Sequence, residues 1–409
     1  MTAAETHDLA TRLRKESALP REWEAAFAAV DRGAFVPHRA WFDDEAGIPR
    51  PIEYGTDEWT RAVYSDEPVV TQLDEGRVAW PGVSRLVTSS ASQPSMVLRM
   101  LDALDVRPGH TILEVGTGTG YNAALLGARL GDENVTTIEI DPALARQARE
   151  ALHHAGHPAI TVISGDGATG HPPRAPYDRI IATAAVLAGH IPHAWISQTR
   201  PGGLVLTPWG TSYRNGGLLR LTAHGDGTAS GHVIGDSGFM RLRQQTTPFG
   251  HASRLAELVE TDPTVTGTTT RTPPAEIGEH PDATTVIGLR LPGVQRSIGV
   301  DDPERWEVLL YDVATDSAAI GYVTPEAEHA GSYPVRQYGP RKLWDEAENA
   351  WRWWVSAGRP RRTRLGATVT PDRQWSWLDQ PDNVIHPCLT PRDQSRTHRS
   401  RASTTRPLG

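Results

Sequence analysis

Cysteine is nearly absent from this chain. The single Cys388 excludes an internal disulfide and a structural zinc site of the cysteine type, although a site built from His, Asp and Glu stays open. Long apolar runs are missing as well: no stretch of 18 apolar residues exists, so no membrane-spanning helix and no membrane partner is expected. The opening residues MTAAETHDLATRLRKES lack the apolar stretch of a secretion signal. A cytoplasmic location is the expectation. A continuous basic face is lacking too, since the net charge is −8, and that argues against a general nucleic-acid binder.

What charge there is divides unevenly. From Arg359 to the end there are ten Arg and four Asp, a surplus of six, which leaves about −14 on residues 1–358. The end is a candidate patch for an anionic ligand or simply a solvated terminus. At 409 residues, with 38% hydrophobic and 22% charged, the chain is long enough for two or three folded units.

The spacing of Trp23, Phe27 and Val30 predicts a helix over about 21–31, and Pro49, Pro51 and nearby glycines predict an irregular loop over 41–63. A helix with Met96, Val97, Met100, Leu101 and Leu104 on one side follows Gln93-Pro94. Then HTILEVG, NVTTIEI, AITVISGD, DRIIATAA and GGLVLTPWG read as strands alternating with helices, the mark of a parallel sheet with helices on its faces. LLRLTAHGDGTASGHVIG reads as a hairpin at the sheet's edge. Past 245 the pattern changes: a helix near Ser253–Thr261, strands at TTVIGLRL, WEVLLYDV, AAIGYV and around Gln374–Leu378, and a helix over Leu343–Val355. The last presents Leu343, Ala347, Ala350, Trp351, Trp354 and Val355 as one stripe. Seven of the 13 Trp fall between Trp306 and Trp377, which suits the core of a small module better than an aromatic binding box.

The sharpest chemical signal is Glu114-Val115-Gly116-Thr117-Gly118-Thr119-Gly120, between a predicted strand and a predicted helix. Glycines permit a sharp turn and close approach of a ligand, and the helix start offers N–H groups. A dinucleotide fingerprint needs its third glycine where Tyr121 stands. The spacing suits instead a nucleoside ligand without pyrophosphate, S-adenosyl-L-methionine. Glu139, followed by Ile140, closes the next strand, where a carboxylate can take both ribose hydroxyls. Asp166-Gly167 closes the third, beside the adenine. Three such sites at consecutive strand ends fit the crevice rule for open α/β sheets. A surface acid at Glu139 and a helix cap at Asp166 are the plainer alternatives. The clustered His153, His154 and His157 read as helix-surface residues, and no metal is expected.

Ser92-Gln93-Pro94, TILEVGTGTGYNAALL, TIEI, SGDG, APYDRIIATAA, IPHAWISQTRPGG and LVLTPWG, with FVP and AVYSD upstream, resemble the protein-L-isoaspartate O-methyltransferase family over roughly residues 20–244. The resemblance implies a class I S-adenosylmethionine-dependent fold, Rossmann-like with a mostly parallel sheet. It implies a substrate-side segment over 1–90 and a cofactor-binding core over 91–244; beyond it, pattern and charge predict a small α+β domain over 245–380 and a disordered basic tail over 381–409. It implies Ser92 as the active-site serine and Tyr64, Ser90, Gln93 and Thr183 on the substrate side. It also implies a peptide or protein partner bearing Asp or isoAsp, with S-adenosyl-L-homocysteine as product. Two departures stand out. Ser90-Ala91 replaces the family's usual Thr-Ile, and about 165 residues after 244 have no expected counterpart in the ordinary repair enzyme. The extension resembles members that tailor ribosomally made peptides, which implies a normal Asp as acceptor and an aspartimide or isoaspartate outcome. The alternatives are repair of isoaspartyl damage and a non-catalytic cofactor-binding scaffold. A carboxylate acceptor is ionised at neutral pH, so no general base is required. A serine hydroxyl at Ser92 can orient it or cap the helix that begins at Pro94.

Overall fold

Five β-branched runs separated by helices give the computed structural model its parallel sheet; residues 2–246, 250–302 and 304–387 are described. The strands lie in the order Thr161–Ser164, Val135–Glu139, Ile112–Val115, Tyr177–Ala182 and Thr199–Gly210, parallel throughout. Every residue of Ile112–Val115 and Val135–Glu139 is buried, as strands covered on both faces must be. Strand order reverses at Ile112–Val115, so the crevice opens at its carboxyl end. The helix Pro142–His154 turns Leu144, Ala145, Ala148 and Leu152 inward and starts with Pro142 behind Asp141, whose carboxylate accepts from the Ala143 and Leu144 amides.

The expected hairpin is present as Asn215–Ala223 and Ala229–Asp236, with Ala223 opposite Ala229. Its outer edge would leave a row of backbone groups unpaired. Leu365–Val369 covers it, antiparallel, from Ala229 opposite Val369 to His232 opposite Gly366. The chain divides into a first unit of residues 1–209, 216–246 and 366–374 and a second of 210–215, 247–365 and 375–409. The return of 366–374 to the first unit is absent from the linear division drawn above.

Residues 41–63 correct the expectation of an irregular loop. Arg39–Asp43 and Pro49–Glu53 form an antiparallel pair, Asp57–Val63 is helical, and the pair joins Val69–Leu73 and Val87–Ala91 in a four-stranded sheet. Pro49–Glu53 is the sheet's edge, where a proline's missing N–H leaves no gap in the ladder.

The second unit holds an antiparallel sheet ordered Thr266–Thr270, Tyr333–Tyr338, Ser317–Val323, Arg305–Asp312 and Gln295–Asp302. Leu255 and Val259 of the helix His251–Thr261 pack on Leu309, Ala318 and Ile320. TTVIGLRL lies in a helix, Pro281–Arg290, and not in a strand. Its residues 283–289 are all buried, so no periodicity marks it, and Pro281 at the first helical position starts it. On Leu343–Ser356 the buried residues are Leu343, Trp344, Ala347, Ala350 and Trp354; Trp351 and Val355 are half-buried, and Trp344 takes the place expected of them. Of the presumed disordered tail, Ile385 is buried and Val384 bridges to Trp377; Cys388 and the rest lie outside the described residues.

Gly321 gives Trp344 its room, since a Cβ there would stand 2.1 Å from the indole. Gly321→Ala is expected to destabilise the protein by about 1–3 kcal/mol, read as a lowered urea midpoint in chemical denaturation.

Candidate active site

Backbone conformation first shapes the site. Gly116, Gly118 and Gly120 have φ of +96°, +52° and +91°, a region side-chain-bearing residues rarely enter. At Gly116 a Cβ would also stand 2.7 Å from the Thr183 hydroxyl, which donates to the Gly116 carbonyl. Four of the loop's N–H groups are committed: Gly116 and Thr117 donate to the Ile138 carbonyl at 2.8 and 3.2 Å, Gly118 to Glu139 Oε2 at 2.9 Å, and Gly120 to the Thr117 carbonyl at 2.9 Å.

Glu139 is 6% exposed, and its Oε1 accepts from the Asp141 amide at 3.1 Å. Burial raises its pKa, against those two amides. A carboxylate has room for about four hydrogen bonds, so acceptor positions remain for hydroxyls in the cleft. Glu114, fully buried, accepts from Asn122 Nδ2 and Thr137 Oγ1, each at 2.6 Å, and burial pushes its pKa up to about 7. Asp166 is exposed and accepts from the Ala168 amide, so it caps a short turn and lines the cleft at once. Gly167 lets its backbone approach Val115, where a Cβ would come within 2.4 Å of Cγ1.

One cleft brings together Glu114, Gly116, Thr117, Gly118, Glu139, Ile140, Asp166, Gly167, Ser90, Ser92 and Thr183. Gly120 lies behind it, at the start of the helix Tyr121–Leu130. Tyr64 and Gln93 do not line it. The Tyr64 hydroxyl donates to Asp31 at 2.7 Å, and Gln93 Nε2 donates to the Asp66 carbonyl at 2.9 Å. Asp66, and not Ser92, supports the start of the helix Pro94–Ala103, accepting from the Ser95 amide at 2.8 Å. The Ser92 hydroxyl thus makes no hydrogen bond to another described residue. His157 is half-buried against Asp132, and no group of three or more potential metal ligands occurs among the described residues.

Two parts of the wall escape sequence reasoning. Phe239 to Gln244 line the cleft as a strap, held where the Ala185 amide donates to the Met240 carbonyl at 2.7 Å and the Leu242 amide to the Ala185 carbonyl at 2.9 Å. Arg243 reaches Asp141 at 3.6 Å. Asp141 also accepts from Gln72 at 3.1 Å; although burial pushes its pKa up, these partners and its capped amides outweigh that and hold it low. GFMRLRQQ has no periodicity to betray it. The second omission is Arg32, whose guanidinium donates to the Ser92 carbonyl at 3.0 Å.

The residues fit S-adenosylmethionine: an apolar and acidic cleft, and a carboxylate at the second strand end with acceptor capacity left. The comparisons decide the family. The model of the family described as protein-L-isoaspartate(D-aspartate) O-methyltransferase matches residues 4–246, more than half of the chain. The chain belongs to that family. This places it among S-adenosylmethionine-dependent protein carboxyl O-methyltransferases of the class I fold.

Among curated relatives of the methyltransferase family, a protein-L-isoaspartate O-methyltransferase of Ignicoccus hospitalis is 48% identical over 118 residues, 29% of this chain and 55% of that one. Protein-L-isoaspartate O-methyltransferase 2 of Archaeoglobus fulgidus is 36% identical over 205 residues, 50% of this chain and 78% of that one. A solved protein-L-isoaspartate O-methyltransferase superposes with a TM-score of 0.52 at 18% identity, over 92% of this chain and 100% of its own. A fold match of that reach passes beyond residue 246. It corrects the expectation that the segment after 244 lacks a counterpart in proteins of that name.

Two outcomes follow from the buried acids. Glu139→Gln, which removes one of the two acceptor oxygens, is expected to weaken S-adenosylhomocysteine binding at least about tenfold by calorimetry. Glu114 ionises near 4.5 when unfolded and near 7 when folded, so its contribution to stability is present at low pH and is lost as pH rises from about 4.5 through about 7. Glu114→Gln is expected to flatten that fall in urea titrations across this range.

Proposed function

We propose that this protein is a protein-L-isoaspartate O-methyltransferase that esterifies the side-chain carboxylate of isoaspartyl residues in peptides and proteins. The observation that carries the reading is Ser92: its hydroxyl, uncommitted within the described residues, lines the same cleft as Glu139 and Asp166. Bound there, S-adenosylmethionine supplies a methyl group on a positively charged sulfur. The acceptor oxygen forms the new C–O bond as the C–S bond breaks, and the electron pair stays on sulfur. No proton moves, so the cleft needs no base. What remains for the protein is orientation, which Ser92 supplies by donating to one carboxylate oxygen while the other faces the methyl group. The following backbone nitrogen can then attack the ester and close a succinimide, without help from the enzyme.

A second reading, a dedicated enzyme that methylates a normal Asp of a ribosomally made peptide, is favoured by one observation. The family model ends at residue 246, whereas the second unit continues with a sheet and core of its own. Isoaspartyl methylation, given above as the alternative, is taken before it because the relatives' printed names carry it. Mass spectrometry on paired peptides that differ only in isoAsp or Asp tests the choice. A gain of about 14 Da, one methylene, on the isoaspartyl peptide alone is expected; modification of the normal Asp peptide alone would overturn the first reading. Ser92→Ala is expected to lower kcat by about 10- to 100-fold, the size of one lost hydrogen bond to a charged group.

A further inference from the structure

Arg32 is 2% exposed, and its guanidinium donates to five backbone carbonyls: Val63 at 2.6 Å, Ser65 at 3.2 Å, Glu67 at 2.9 Å, Ala91 at 3.0 Å and Ser92 at 3.0 Å. Three belong to the turn after the helix Asp57–Val63; two belong to the end of the strand Val87–Ala91 and the serine that follows it. No carboxylate hydrogen-bonds it. Asp66, whose charge reaches it, is engaged by Gln93 and Ser95, and its neighbour Asp31 by Tyr64, Thr6 and the Gly33 amide. Burial pulls the Arg32 pKa down only to about 10, so the group stays charged at neutral pH.

A buried cation solvated only by carbonyl dipoles is costly, and a hydrophobic or amide side chain could tie two loops together at less expense. Its place directly behind Ser92 supplies a reason for it. We propose that Arg32 is a positioning residue for methyl transfer: it fixes the Ser92 backbone against the 63–67 turn, and its charge draws the anionic acceptor to the serine. The inference rests on the function proposed above. An acceptor carboxylate held by the Ser92 hydroxyl would lie within roughly 8 Å of the guanidinium by covalent reach. At an effective dielectric constant of about 20, that attraction is about thirtyfold in affinity. The same charge disfavours the cationic methyl donor relative to its neutral product.

Two variants separate charge from scaffolding. Arg32→Gln keeps amide donors and loses the charge; Arg32→Lys keeps the charge and loses most of the donors. Binding of S-adenosylmethionine and S-adenosylhomocysteine is measured by calorimetry, and KM and kcat are measured with an isoaspartyl peptide. In Arg32→Gln the Kd ratio of S-adenosylmethionine to S-adenosylhomocysteine is expected to fall about three- to tenfold and the peptide KM to rise about ten- to thirtyfold. In Arg32→Lys the ratio stays at the wild-type value and KM within about threefold of it, while kcat falls with the loosened Ser92 backbone. Parallel weakening of both ligands that follows a loss of thermal stability, with the ratio unchanged in Arg32→Gln, would overturn the proposal. So would a KM in Arg32→Lys as high as in Arg32→Gln. Should the wild type leave the isoaspartyl peptide unmethylated, the proposed function fails, and the ligand ratio still decides the role of Arg32.

Discussion

The cleft depends on a buried carboxylate and its neighbour two residues along. Glu139 ties the glycine loop to its strand by accepting from Gly118, and it accepts from the Asp141 amide on the other side. Asp141 then caps the helix Pro142–His154, accepts from Gln72 of the N-terminal sheet, and faces Arg243 of the strap. Four segments far apart in sequence thus meet at two acids. Each acid is buried at some cost to its charged form; amide and side-chain donors outweigh that cost at Asp141, whereas at Glu139 two amides offset it only in part. Such an arrangement leaves a ligand carboxylate little to gain there and a ribose diol much.

How much of this was legible depended on whether the signal was local. The strands from Ile112 to Gly210 and the glycine loop carry their chemistry in adjacent residues, and they fold as read. Glu139 and Asp166 were singled out because each ends a predicted strand, and Ser92 through the resemblance; the three line one cleft. The strap over Phe239 to Gln244, by contrast, has no periodicity, and only its bonds to Ala185 place it. Arg32 is equally silent, since its partners are backbone carbonyls up to sixty residues away. Residues 41–63 misled because prolines usually break strands, yet an edge strand tolerates them. TTVIGLRL misled because a helix buried all round has the same apolar run as a buried strand. Tyr64 and Gln93 lie close to Ser92 in sequence pattern but spend their polar groups on Asp31 and Asp66, behind the cleft.

The chemistry asked of the cleft is modest. Both reactants arrive already charged as the reaction needs them, so the protein supplies alignment and an electrostatic setting and transfers no proton. The proposed chemistry is compatible with a cleft that brings Glu139, Asp166 and Ser92 together. It also suits a wall in which the Ser92 hydroxyl has no protein partner among the described residues. The second unit has a core of its own, and most of it lies beyond the residues that the family model matches.

The most direct test is a crystal structure of the protein with S-adenosylhomocysteine and an isoaspartyl peptide bound together. The account predicts the ribose hydroxyls on Glu139 and one acceptor carboxylate oxygen within hydrogen-bond distance of the Ser92 hydroxyl, its partner oxygen facing the sulfur. A peptide carboxylate seated away from Ser92, or a nucleoside held elsewhere than at Glu139, would contradict it.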